Sequence, residues 1–189
     1  MNRRHFLIST VAVGAGTLAG PFVPAGGAVT DEDLSFANFG AAGELLLKDF
    51  YSQALEAKLL RGHGYRILRQ GRSAAARHAR VLSALLEGAG DTPPAEEDFT
   101  FAWPARTFRT SGSIQSTALG VLRALQGSYE TGAVSASVSS YRVLYSSLAV
   151  SAGQQIGAFT ALSGKAELHP FPVALDLEAA SAALDGYLG

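Results

Sequence analysis

The chain has 189 residues, no cysteine and a near-balanced charge of 15 Lys and Arg against 16 Asp and Glu. The missing cysteine excludes disulfides, thiolate metal sites, a cysteine nucleophile and a lipid-modified cysteine anchor. A net charge of −1 lacks the basic excess that holds a phosphate backbone, so nucleic acid is not an expected partner.

The first 28 residues, MNRRHFLISTVAVGAGTLAGPFVPAGGA, have the layout of a signal peptide. A basic pair, Arg3 and Arg4, precedes a modestly apolar run over residues 6–18, and the first acid is Asp31. That run is short for a membrane span of about 20 residues, which argues against an N-terminal anchor. Arg3, Arg4, Phe6 and Leu7 resemble the twin-arginine type of signal, which implies the twin-arginine export machinery as a partner during export. Cleavage is expected after Ala28, with Gly26 and Ala28 as the small residues the peptidase reads. The expected organisation is a leader over 1–28 and one mature domain over 29–189. The product is exported, periplasmic or extracellular, with no membrane anchor left. The mature part carries 13 basic and 16 acidic residues and is long enough to bury a sizeable core without staples.

Residues 33–60 predict a first helix, with Phe36, Gly40, Glu44, Leu47, Tyr51, Leu55 and Leu59 recurring in steps of three and four. RGHG at 61–64 breaks it. A second helix over 65–87 puts His78 on a stripe with Ala75, Leu82 and Leu85. GAGDTPPAEED stops it with two glycines and a proline pair. Residues 88–112 predict no helix, yet they carry Phe99, Phe101, Trp103 and Phe108. A loop this long and aromatic is expected to pack on the body, with Trp103 buried, and to return the chain along the height of a bundle. The acidic run 96–98 offers oxygens to a cation, but charge runs are usually solvated, and it and the neighbours Lys48 and Asp49 read as solvated charges.

A third helix is predicted over 113–136, with Leu119, Leu122, Gln126, Glu130 and Ala133 on one line. A fourth is predicted over 139–163, with Tyr141, Leu144, Leu148, Ala152, Ile156 and Phe159 on one face. Gly120, Gly127, Gly132, Gly153 and Gly157 fall inside these two helices and permit close helix contact or local breaks. Pro170 and Pro172 keep the tail extended, and Asp176 is placed to cap a short last helix. The fold class is therefore all-α, a ferritin-like four-helix bundle with one long crossover between the second and third helices and a short C-terminal helix.

FANFGAAGELLLKDFYSQALEAKLL, the crossover DFTFAWPARTF, YETGAVSA and the tail HPFPVALDLEAASAALDGYL, in that order, resemble the ferritin-like domain family that includes the desiccation-related proteins. The resemblance covers nearly all of 31–189. It implies a dinuclear metal site built from a Glu on each of two helices and a Glu-x-x-His on each of the other two. Glu44 matches the first Glu, His78 the second-helix His and Glu130 the third-helix Glu. Ala75 stands where an acid belongs. Gly153 and Ile156, or Gln154 or Gln155 one register away, stand where the fourth helix should bring an acid and a His. Three ligands of six give two anions for two divalent ions, too little charge to offset desolvation. The resemblance thus implies a degenerate site.

The residues leave alternatives open. Glu44 is a core carboxylate paired with His78, or a remnant ligand. His78 bonds Glu44 or Glu130, or is a ligand. Glu130 also has Arg123 seven residues back as an ion-pair partner. Tyr51 reads as a packed aromatic with its hydroxyl satisfied, and His63 and His169 as surface residues. Nothing matches a phosphate loop, a zinc motif or a nucleophile elbow. The reading leans away from an enzyme, toward a structural, binding or stress-associated role with no cofactor. The alternatives are one bound divalent metal ion such as iron, and a small molecule in the vacated cavity beside Ala75, Gly153 and Ile156. A homo-oligomer or a protein partner is compatible with either.

Overall fold

The structure, a computed structural model, describes residues 28–164 and 172–188. The leader residues 1–27, and His169 and Pro170 in the tail, lie outside the described residues. Four long helices dominate: α1 (Asp31–Glu56), α2 (His63–Gly88), α3 (Ser111–Ser135) and α4 (Ser139–Ser163), followed by a short α5 (Leu177–Leu184).

Local chemistry explains where each helix begins and ends. Thr30 caps α1 in a reciprocal box with Asp33, and Thr110 does the same for α3 with Ser113, so both helices start two residues earlier than their apolar periodicity suggests. α1 also ends earlier, at Glu56 rather than residue 60. Lys58 adopts a left-handed φ of 56°, which turns the chain, and Leu60 folds back into the core. Gly62, with φ 55°, then takes the conformation that opens α2. α4 occupies the expected residues, and Asp176 Oδ1 accepts the Ala179 N–H at 2.8 Å to cap α5.

Helices that neighbour each other around the bundle run antiparallel, while α2 and α3, joined by the crossover, run the same way. Gly40 and Gly43 of α1 face Tyr129 and Leu125 of α3, so these two helices run antiparallel. Gly40 and Tyr51 meet Leu82 and Gly71 of α2, again antiparallel, while Phe36 and Tyr51 meet Tyr145 and Phe159 of α4 in parallel register. α1 with α2 and α3 with α4 form tight pairs, joined through α1 against α3 and α2 against α4. The result is the four-helix bundle with one long crossover, the ferritin-like topology. Its core is filled by Phe39, Leu46, Phe50, Leu68, Leu122 and Phe159, each 2% exposed or less.

Both helix pairs stay unbroken at their glycines. Gly127 admits the tail: an added Cβ would lie 2.5 Å from the Val173 carbonyl oxygen, and the Leu175 N–H donates to the Gly127 carbonyl at 3.1 Å. Gly120 and Gly157 face open space instead.

The crossover, residues 89–110, lies against α1 and holds a short 3-10 turn, Glu96–Asp98. Trp103 is half-buried rather than buried, and its indole Nε1 donates to Asp49 Oδ2 at 2.6 Å. Its ring packs 5.2 Å from Phe50 and 4.9 Å from Tyr187 of the tail. The Ala102 N–H donates to the Tyr187 carbonyl at 2.8 Å, beside an isolated bridge between Phe101 and Leu188. Lys48 forms an ion pair with Glu96. Lys48, Asp49 and Glu96 are therefore not merely solvated charges: they fasten the crossover to α1. The aromatic edge and the N–H of a half-buried indole need an acceptor, and Asp49 supplies it.

Candidate functional site

All four helices send a polar side chain toward the middle of the bundle. Glu44 and Tyr51 come from α1, seven residues or about two turns apart on one face. His78 comes from α2, Tyr129 from α3 and Gln155 from α4.

Glu44 is 3% exposed. Its Oε1 accepts the Tyr129 hydroxyl at 2.9 Å and lies 3.1 Å from His78 Nδ1. An acceptor at that distance selects the tautomer with the proton on Nδ1. Glu44 Oε2 is buried and has no hydrogen-bond partner among the described residues. Burial and the charge of Glu44 push the Tyr129 phenol well above its ordinary range, and its bond to Glu44 adds to this. Tyr129 is thus a fixed proton donor at neutral pH.

Tyr51 is fully buried. Its hydroxyl donates to Gln155 Oε1, and its ring stacks on Phe159 at 6.3 Å with 9° between planes. Burial first, and the Glu44 charge second, raise its phenol as well. α2 can lie this close because residue 71 is glycine: an added Cβ would stand 2.5 Å from Tyr51 Cζ.

Of the three residues proposed as remnant ligands, the structure brings two together. Glu44 and His78 meet. Glu130 does not join them: it is half-exposed, makes no ion pair with exposed Arg123, and burial alone raises its carboxyl. The inward line of α3 runs through Ile114, Ala118, Leu122, Leu125, Tyr129 and Gly132, one residue round from the line through Gln126 and Glu130. Tyr129 takes the inward place expected for Glu130. In α4, Gln155 points to Tyr51, while Gly153 faces Gln126, whose Nε2 would be 3.0 Å from an added Cβ. Ala75 is wholly buried in the core, and His63 is exposed.

The residues present do not fit a dinuclear centre. Such a pair of ions needs several hard carboxylate oxygens, and this interior offers one carboxylate, one imidazole, one amide and two phenols held as donors. Among the described residues no group of three or more His, Cys, Asp or Glu stands together to hold a metal ion. No described helix is long and apolar enough to cross a membrane.

The sequence reading missed Tyr129. Its signal was the spacing Leu122, Leu125, Tyr129, Gly132, which keeps helical period as well as the line chosen.

A second polar network ties the far end of the bundle. Asp33 is 2% exposed and accepts Thr30 N–H at 2.9 Å, Ser137 N–H at 3.0 Å and the Ser137 hydroxyl. Burial opposes its charge, but the bonds from Ser137 and Thr30 outweigh burial and hold its carboxyl below the ordinary range. Asp33 thereby latches the start of α1 to the turn between α3 and α4.

Compared with known proteins, the chain matches no family model and no curated relative.

Proposed function

We propose that the protein is an exported ferritin-like bundle whose dinuclear metal site has degenerated, and that it serves a structural, binding or stress-associated role without catalysis. One observation carries the reading. The inward place on α3 holds Tyr129, and its hydroxyl is spent on Glu44, the one carboxylate in the middle of the bundle. A phenol kept protonated by burial supplies a donor where a dinuclear site needs an anion. The rings of Tyr51 and Tyr129, packed on Gly71 and Gly40, also occupy interior space that a small-molecule pocket would need.

A second reading rests on Glu44 Oε2, which has no hydrogen-bond partner among the described residues. One divalent ion such as iron would take that oxygen together with a nitrogen of His78 once the ring turned out of its bond to Glu44 Oε1. Elemental analysis of protein purified without chelators separates the two. The proposal expects less than about one tightly bound transition metal per chain, against the pair a dinuclear centre holds. A single metal lost in both Glu44→Ala and His78→Ala supports the second reading. Export is tested apart: replacing Arg3 and Arg4 with Lys is expected to keep the precursor in the cytoplasm, and unchanged export would remove the twin-arginine assignment.

A further inference from the structure

The near-zero net charge conceals a segregated distribution. Between Glu56 and Glu87 the chain has no acidic residue, yet it carries Lys58, Arg61 and the five arginines of α2. Arg66, Arg69, Arg77 and Arg80 fall within an arc of about 80° on α2 and span about 21 Å of its length. All four are exposed. None makes an ion pair with a described residue. Arg80 Nε donates to its own helix at the Ala76 carbonyl, Arg66 lies 3.5 Å from exposed His63, and the Arg69 guanidinium stands 6.0 Å over the Tyr65 ring. These contacts leave most of their donors turned to solvent.

The occupant follows from chemistry and shape. Every cation of this helix is arginine, whose planar fork matches phosphate oxygens two at a time. The face is a straight row along a convex helix, so it suits a surface with repeating phosphates better than one small anion. Apolar side chains flank the row: Tyr65 and Val81 are 44% and 50% exposed. Guanidinium groups at phosphate level with a tyrosine and aliphatic groups among them is the chemistry of a peripheral helix on a lipid headgroup layer. Duplex nucleic acid would match the arginines and leave the apolar flank unused.

We propose that the outer face of α2 docks on an anionic phospholipid surface through Arg66, Arg69, Arg77 and Arg80, with Tyr65 and Val81 reaching among the headgroups. The contact is peripheral, and the bundle stays folded on the surface. It is independent of the state of the interior polar site.

The test is sedimentation of the full chain with vesicles of phosphatidylglycerol and phosphatidylcholine, and with vesicles of phosphatidylcholine alone. The leader is common to all variants, so ratios between them read the α2 face. Changing the four arginines to Gln is expected to weaken partitioning into anionic vesicles by about 5-fold per residue, and by on the order of 100-fold or more together. Changing all four to Lys keeps the charge and is expected to stay within about 5-fold of the parent. Arg123→Gln with Arg142→Gln, on the other pair of helices, is expected to change nothing. Raising salt from 0.05 to 0.5 M is expected to release the parent and not the Gln variant's residual binding. Circular dichroism of each variant confirms an intact bundle. Equal binding of the parent and the folded Gln variant overturns the proposal. So does tighter binding of duplex DNA than of anionic vesicles at equal phosphate, which would assign the face to nucleic acid instead.

Discussion

Tyr129→Phe isolates the contact that occupies Glu44 Oε1 in the middle of the bundle. The substitution removes one oxygen and leaves the ring, 2% exposed, in its packing against Gly40. Among the described residues Glu44 Oε1 then keeps only His78, and Oε2 has no partner already. Removing a donor from a buried carboxylate costs about 1–3 kcal/mol. For a domain of this length each kcal/mol moves Tm by about 2–4 °C, so a loss of ~2 kcal/mol lowers Tm by about 4–8 °C. The control is the same change in a Glu44→Leu background, where the acceptor is gone and an unpaired phenol is itself a burden. There Tyr129→Phe is expected to cost less than about 0.5 kcal/mol or to stabilise, because removing both partners of a buried bond approaches neutrality. Urea and thermal unfolding followed by circular dichroism supply both numbers. An equal cost in the two backgrounds would show that Tyr129 and Glu44 do not interact.

Other variants probe neighbouring contacts. His78→Ala is expected to lose about 1–3 kcal/mol in urea unfolding by leaving Glu44 short of a donor, and an unchanged midpoint would mean His78 does not face Glu44. Gly71→Ala is expected to destabilise by about 1–2 kcal/mol, since overpacking against Tyr51 exceeds the gain in helix preference, whereas Gly120→Ala in open space is expected to stabilise by about 0.5–1 kcal/mol. The same sign for both in a melting series would contradict the close approach of α2 to Tyr51. Asp33 has a folded-state pKa below its unfolded value, so its stabilisation is complete above the unfolded pKa and is lost as pH falls through the folded one. Asp33→Asn is therefore expected to flatten the acid limb of a Tm-against-pH curve below about pH 4, and a curve parallel to the parent's would refute the latch. Asp49→Ala frees the Trp103 indole N–H, so acrylamide quenching of the single tryptophan is expected to rise, and unchanged quenching would mean the crossover is held without it.

The helices were legible because their apolar residues recur at helical period and their stops are chemically loud: RGHG, the proline pair, and Asp176 before α5. The crossover was legible from its length and aromatics. The rotation of α3 was not. Its sequence mixes Ala, Gly, Ser and Leu all round, so two lines one residue apart keep the same period. Only packing against Gly40 and Gly43 of α1 selects the line through Tyr129. For α4 the register left Gln154 and Gln155 open, and contact with Tyr51 selects Gln155. Glu44 and His78 could be paired from sequence because each is a lone polar group on an otherwise apolar stripe. Asp49 with Trp103 and Lys48 with Glu96 join residues 54 and 48 positions apart, a distance no local pattern encodes.

The proposal that this interior does not hold a pair of metal ions makes the stability of the protein independent of added metal. A ligand bound only by the folded chain and present at 1,000 times its Kd adds about 4 kcal/mol, which for this length raises Tm by about 8–16 °C. Anaerobic melting of the chelator-treated protein with excess ferrous, manganous or zinc ion is predicted to leave Tm within about 2 °C of the metal-free value, corresponding to less than about 1 kcal/mol. A rise of 8 °C or more that saturates at about two ions per chain and disappears in Glu44→Ala would show a dinuclear centre and overturn the proposal.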